Sequence, residues 1–284
     1  MDTRFLESLL AVVTTGSIAA AARQQGLTAA AVSQRIRVLE TDLGCRLLTR
    51  SAQSAKPTQE CRNMLPAAQA LVRDAQRLSG HVTSDGLRGA YRLGAISTAL
   101  LDFVPKVVLY FREAAPEVRL TVRPGSSQAL YESLAADELD AVIGVEPPFS
   151  VPKEIRKKAM AEEPFMHITP RELPIAPQQE ELPWILYDRS TWGGRLIASY
   201  LETQIGETPV LCELDSLETI AAMVEAGLGQ AAVPKWAGMM TQYSGLTIVG
   251  LQTDQWFQRP IVLLQKSSSG VPSIDALLQK TLLR

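Results

Sequence analysis

GSIAAAARQQGLTAAAVSQRIRVLETDLG, residues 16–44, carries the punctuation that decides this chain's fold. Gly16, Gly26 and Gly44 each follow a helical pattern, where a left-handed residue ends a helix at no steric cost. Ser17 and Thr28 stand where a side-chain oxygen caps the next helix. The stretch therefore predicts an alanine-rich helix from Ile18 to Gln24 and a longer one from Thr28 to about Leu43. Upstream, Leu6, Leu9, Leu10 and Val13 follow i, i+3, i+4, i+7 spacing and predict a helix over residues 3–15. Two capped helices joined by a short turn make a helix-turn-helix.

At 100° per residue, Val32, Ile36, Leu39 and Leu43 fall on one stripe of the long helix, the expected core face. Ala30, Ser33, Gln34, Arg37 and Thr41 lie opposite. A lone helix with that face would be read as solvated. The capped helix before it favours DNA: alanine permits close approach, Gln pairs with adenine, and Arg takes guanine or phosphate. Leu47-Leu48-Thr49-Arg50, a polar run from Ser51 to Lys56 and Pro57-Thr58 predict a strand, a loop and an exit, a wing for phosphate contact. The expected DNA-contacting residues are Thr28, Ala30, Ser33, Gln34, Arg37, Arg50 and Lys56.

Beyond the wing, Met64, Ala68, Leu71, Ala75, Leu78 and Val82 repeat at heptad spacing. They predict a dimerisation helix over residues 59–83, with Pro66 kinking its first turns or delaying its start. A two-fold pair would set two reading heads about one DNA turn, roughly 34 Å, or a multiple of it apart.

The 284 residues exceed one ordinary core. Net charge is only -2, yet residues 1–85 hold ten Lys and Arg against seven Asp and Glu, a net of +3. Residues 86–284 hold 18 against 23, a net of -5. A small basic module thus precedes a larger acidic one. Three scattered cysteines suit a reducing cytosol. With two histidines, His81 and His167, neither a metal site nor a cofactor is expected. The N-terminus lacks a signal-peptide pattern, and charges interrupt every apolar stretch, so the expected place is the cytoplasm, off the membrane.

After residue 86, strands and helices alternate. Strands are expected at Tyr91–Ala95, Arg119–Val122 and Ala141–Gly144, with helices from Leu100 to Ala114 and from Ser127 to Ala136. A second set has strands at Trp184–Tyr187, Pro209–Cys212 and Gln230–Val233 and helices from Gly194 to Thr203 and Leu217 to Ala226. Strand Arg259–Gln265 and helix Ile274–Leu283 return to the first lobe. The order predicts α/β lobes, each with a mostly parallel sheet, and a cleft between them. The chain would cross twice, near Pro164–Thr169 and near Phe257–Ile261. An enzyme on this α/β body is the alternative, but no Gly-x-Ser-x-Gly, P-loop, His-Glu-x-x-His or Rossmann fingerprint is present. A cytosolic solute-binding protein is a second alternative, which the basic head opposes.

The run Gly16-Ser17, Ala20-Ala21-Ala22, Ala31-Val32-Ser33-Gln34-Arg35-Ile36-Arg37, Leu39-Glu40, Leu43-Gly44, Leu47-Leu48-Thr49-Arg50, Pro57-Thr58 resembles the N-terminal domain of LysR-type transcriptional regulators. Val-Ser-Gln-Arg-Ile with Leu-Leu and Lys-Pro-Thr looks most like the subgroup that controls arginine and lysine exporters. Ala29-Ala30, Leu48 and Glu60-Cys61 depart from the usual residues, the first pair at the cost of a base-reading amide. Gly94–Ser97, Phe111–Pro116, Leu139–Gly144 and Val224–Gly229 resemble the effector domain of the same regulators, similar to type 2 periplasmic binding proteins. The resemblance implies a non-enzymatic DNA-binding regulator, a homotetramer built from dimers. The expected domains are a winged helix-turn-helix over 1–58, a linker helix over 59–86 and an effector domain over 87–284. Lobe I would take 87–162 and 262–284, and lobe II 163–261.

Ser97-Thr98 and Ser126-Ser127 each follow a strand and open a helix, where free N–H groups and hydroxyls favour an anion. Ser190-Thr191-Trp192-Gly193 offers a third such site, with Trp192 to stack on a planar ligand. The family fold brings them to one cleft. Glu146 is expected to meet a cationic group. The expected effector is a small carboxylate or an amino acid held by Ser97, Thr98, Ser126, Ser127, Glu146, Thr191 and Trp192.

Overall fold

The computed structural model describes residues 2–50, 54–81, 86–172, 182–206, 209–251, 256–267 and 270–283. The chain divides into two units, Met1–Ser84 and Asp85–Arg284.

The first unit holds α1 (Thr3–Thr15), α2 (Ile18–Gln25), α3 (Ala29–Leu43), β1 (Leu48–Arg50), β2 (Ala55–Pro57) and α4 (Gln59–His81). Gly16, Gly26 and Gly44 close the first three helices with φ between +65° and +69°. Thr28 Oγ1 caps α3 by accepting from the Ala31 N–H at 3.1 Å. Ser17 occupies the cap position of α2 in extended backbone, without a side-chain bond. Leu6, Leu9, Val12, Val32, Ile36 and Leu39 are buried together. Leu43 is a correction: it is 43% exposed. The core ends at Leu39, and Leu43 lies one turn beyond it.

α4 begins at Gln59, so Pro66 does not delay it. Its first half packs inward: Cys61, Ala68 and Val72 are buried in the head's own core, with Met64 and Leu65 against it. Ala68 therefore leaves the heptad seam, while Met64 is half-buried. Leu71 and Leu78 stay 47% and 66% exposed. Val82 lies outside the described residues.

The second unit runs β3 (Gly89–Ala95), α5 (Ser97–Asp102), α6 (Val104–Ala114), β4 (Val118–Pro124), α7 (Ser127–Ala135), β5 (Ala141–Val145) and β6 (Ile155–Pro170). It continues through β7 (Trp184–Tyr187), α8 (Trp192–Arg195), α9 (Ala198–Ile205), β8 (Val210–Leu214), α10 (Leu217–Glu225) and β9 (Ala231–Pro234). It ends with α11 (Met239–Gln242), β10 (Leu246–Gly250), β11 (Gln258–Lys266) and α12 (Pro272–Leu282).

β4, β3 and β5 are parallel, as helical crossovers require. β5 is buried at all five positions, so its apolar run faces packed layers on both sides. The sheet as a whole is mixed, because β11 runs antiparallel to β5 and to β6. The 16-residue β6 was not legible as a strand. Its charged first half, Arg156-Lys157-Lys158, hides the period, and the strand then continues into pairing with β10 and β9. Two hydrophobic cores result. Leu93, Phe111, Leu130, Ile143, Leu263 and Ile274 belong to the first. Ile168, Ile185, Leu201, Ile220, Val233 and Trp236 belong to the second. They mark lobes I and II. The chain passes between them along β6, from Ala161 to Phe165, and at the start of β11, from Phe257 to Ile261.

Candidate DNA-reading face and effector cleft

On α3, Thr28, Ala30, Gln34, Arg37 and Thr41 are exposed along one face, and Ser33 is half-buried. The opposite edge is tied down. Arg35 Nη1 donates to Ser8 Oγ at 3.1 Å and to the Arg4 carbonyl at 3.4 Å, fixing α3 on α1. The wing is fixed too. Glu40 Oε1 accepts from the N–H groups of Leu47 at 2.9 Å and Leu48 at 3.3 Å. The Ala55 N–H donates to the Gly16 carbonyl at 2.8 Å. Lys56 is exposed on β2. Arg50 pairs with Ala55 in the hairpin register, but its side chain and the wing tip 51–53 lie outside the described residues. Glu40 was missed from sequence. An acid in the last turn of a helix faces the wrong end of the dipole, and that signals a partner such as these N–H groups.

The second unit encloses a cavity of about 520 Å³ between its lobes. Ser97, Ser126, Ser127 and Gln128 line it from lobe I, and Tyr187, Asp188, Thr191, Trp192 and Asp215 from lobe II. Arg259, at the crossing, lines it as well. Five of the seven expected residues thus meet at one cavity: Ser97, Ser126, Ser127, Thr191 and Trp192. Thr98 is buried behind the wall, where its Oγ1 accepts from Arg259 Nη2 at 3.0 Å. Glu146 does not line the cavity, and its carboxylate accepts from Lys157 Nζ.

The cleft hydroxyls already serve the backbone. Ser127 Oγ accepts from the Val145 N–H at 3.0 Å, and Ser126 Oγ from the Ala129 N–H at 3.4 Å. Thr191 Oγ1 donates to the Asp188 carbonyl at 2.7 Å and accepts from the Gly194 N–H at 3.0 Å. Gly193 and Gly194 let this loop sit close, since a Cβ there would meet the Tyr187 hydroxyl and the Asp188 carbonyl. Trp192, carried by lobe II, is only 7% exposed and counts in the core of lobe I. Its ring centroid lies 5.6 Å from Phe149 and 5.9 Å from Tyr131.

Other residues of the cleft and its crossing strands were missed. Arg259 is 1% exposed and donates through Nε to Glu163 Oε2 at 2.7 Å, its opposite residue in the β6–β11 register. Burial raises the Glu163 carboxyl's pKa against the downward pull of Arg259. Burial also raises the pKa of the Tyr187 hydroxyl, again opposed by Arg259. Asp215 is pushed up by burial and by the neighbouring Asp188. An arginine at the head of the apolar run Pro260–Leu264 was the available signal, because an isolated cation beside a buried strand requires a partner. Asp102, closing α5, also ties the lobes by accepting from the Ala237 and Gly238 N–H groups at 2.9 and 3.0 Å.

Residues 84–280 match the LysR substrate binding domain, and residues 3–62 match the bacterial regulatory helix-turn-helix proteins of the lysR family. The chain belongs to the LysR family. It is 32% identical over 239 residues to the HTH-type transcriptional regulator CbbR of Cereibacter sphaeroides, covering 80% of this chain and 76% of that one. It is 27% identical over 297 residues to IlvR of Caulobacter vibrioides, covering 98% and 97%. Full-length CbnR in complex with its target DNA has a similar fold, with TM-score 0.68, 17% identity and 99% of each chain covered. A full-length OxyR variant from Pseudomonas aeruginosa gives TM-score 0.67 at 19% identity, covering 99% of this chain and 94% of that one. This LysR chain is a DNA-binding transcription regulator with a substrate-binding domain. Its family is one of regulators rather than enzymes. Among the described residues, no helix is long and apolar enough to cross a membrane, and no group of three His, Cys, Asp or Glu forms a metal site.

Proposed function

We propose that residues 1–58 read operator DNA through α3 and the wing, and that residues 87–284 sense a small carboxylate or amino acid in the cleft. The observation that carries the sensing role is the 520 Å³ cavity, lined from both lobes by polar groups. Its volume falls within the usual range of about 300–1,000 Å³ for a small-molecule site. The reading face presents Ala30, Gln34 and Arg37 to the major groove, with Arg50 and Lys56 for phosphates. The regulator works in the cytoplasm. CbnR, with a similar fold, is seen on its target DNA. Ligand in the cleft biases the lobe angle only by its differential affinity for the two states.

α4 pairs two copies through its exposed Leu71 and Leu78 rather than through Ala68, and the effector units extend the dimer to a tetramer. Leu71→Glu splits the helix pair, and sedimentation showing an intact assembly removes this seam. A gel shift with DNA from the chain's own promoter, run with and without candidate effectors, tests the whole function. Equal binding to random DNA at every salt concentration sinks it.

A further inference from the structure

We propose that Arg259 takes the effector's carboxylate and that Asp215 and Asp188 take its ammonium group, so the effector is an α-amino acid bound as a zwitterion. This rests on the cleft being the sensor and narrows what the cleft accepts. Arg259 is a guanidinium almost wholly withdrawn from water that still lines the cavity. Its Nε and Nη2 are held by Glu163 and Thr98, while Tyr187 faces the same side chain from the cavity wall. With Nε and Nη2 turned to Glu163 and Thr98, Nη1 is the nitrogen left to meet a carboxylate oxygen.

The side-chain charges favour a ligand that carries its own cation. Two aspartates face the cavity against one arginine, and that arginine is already matched by Glu163. Asp188 is partly engaged, accepting from the Ser190 N–H at 2.8 Å. Asp215 makes no hydrogen bond or ion pair among the described residues. A carboxylate entering alone meets uncompensated negative charge. A ligand that brings its own cation to Asp215 does not. Dicarboxylates are disfavoured twice over. Because Arg259 and Glu163 face each other on the two strands that pass between the lobes, drawing Arg259 toward a ligand acts where the lobe angle is set.

The test uses the full chain, with thermal shift and calorimetry against each of the proteinogenic L-amino acids, and against succinate and butyrate. At least one amino acid binds, and neither acid does. Arg259→Lys, and the charge-free pair Arg259→Met with Glu163→Gln, each lower that affinity by about 10- to 100-fold. Asp215→Asn lowers it by about tenfold or more. Circular dichroism of each variant confirms folding. Gln128→Trp fills the cavity and abolishes binding. An amino acid that is lost with Gln128→Trp but kept by both Arg259 variants overturns this inference and leaves the cleft as sensor. Binding that survives Gln128→Trp overturns the cleft itself. Binding of succinate or butyrate, or silence from every amino acid, overturns the zwitterion.

Discussion

The reading face of α3 and the floor of the cleft both present arginine, in opposite circumstances. Arg37 is exposed on a face whose neighbours, Ala30, Gln34 and Thr41, are exposed too. Arg259 is buried, bonded to Glu163 and Thr98 and set into a strand that joins two lobes. A solvated side chain contributes little until DNA arrives, so the reading face can change without harm to folding. A buried ion pair is part of the fold, and removing one member leaves the other charge stranded. The DNA preference of this regulator is therefore free to drift, while the chemistry of its cleft is tied to its stability.

Four substitutions test that contrast, in order of falling effect. Glu163→Ala strands Arg259 and lowers unfolding stability by about 3–5 kcal/mol, measured by urea denaturation of the effector transition. A loss below about 1 kcal/mol would put water on Arg259 and end the contrast. Thr98→Val keeps the shape but deletes the acceptor for Arg259 Nη2. It costs about 1.5–3 kcal/mol in the same measurement, with DNA affinity unchanged. Arg37→Ala costs about 1–3 kcal/mol in specific over non-specific DNA binding, and it leaves the melting temperature within a degree or two. Equal loss on random DNA would move Arg37 to phosphate. Lys56→Ala weakens all DNA alike and flattens the salt dependence by about one unit of slope. An unchanged slope removes Lys56 from the phosphate contacts.

How legible each region was follows the same physics. The head is built from neighbours in sequence, so glycine stops, hydroxyl caps and a 3.6-residue period located α1, α2 and α3 almost to the residue. What failed there was tertiary: Leu43 overhangs the core, and Ala68 serves its own head rather than a partner. In the cleft, the expected hydroxyl sites at Ser97, Ser126 and Thr191 do line one cavity, because strand-to-helix turns are local signals. Arg259 and Glu163 lie 96 positions apart and meet only through the register of two antiparallel strands. No periodicity carries that information. Trp192 reads as a stacking surface by residue type, yet its neighbours Phe149 and Tyr131 come from the other lobe.

That aromatic meeting point has an optical consequence. Trp192 is one of four tryptophans, and its ring centroid sits 5.9 Å from that of Tyr131 across the lobe boundary. At such a separation, light absorbed by the tyrosine is handed to the indole, and the coupled rings give a near-ultraviolet dichroic signal. Both depend on the rings staying together. Moving the rings apart weakens the dichroic coupling and wets the indole, shifting its emission to the red. Conversion between lobe arrangements can therefore be timed in a stopped-flow fluorimeter without attaching a dye, using Trp192→Phe as the blank.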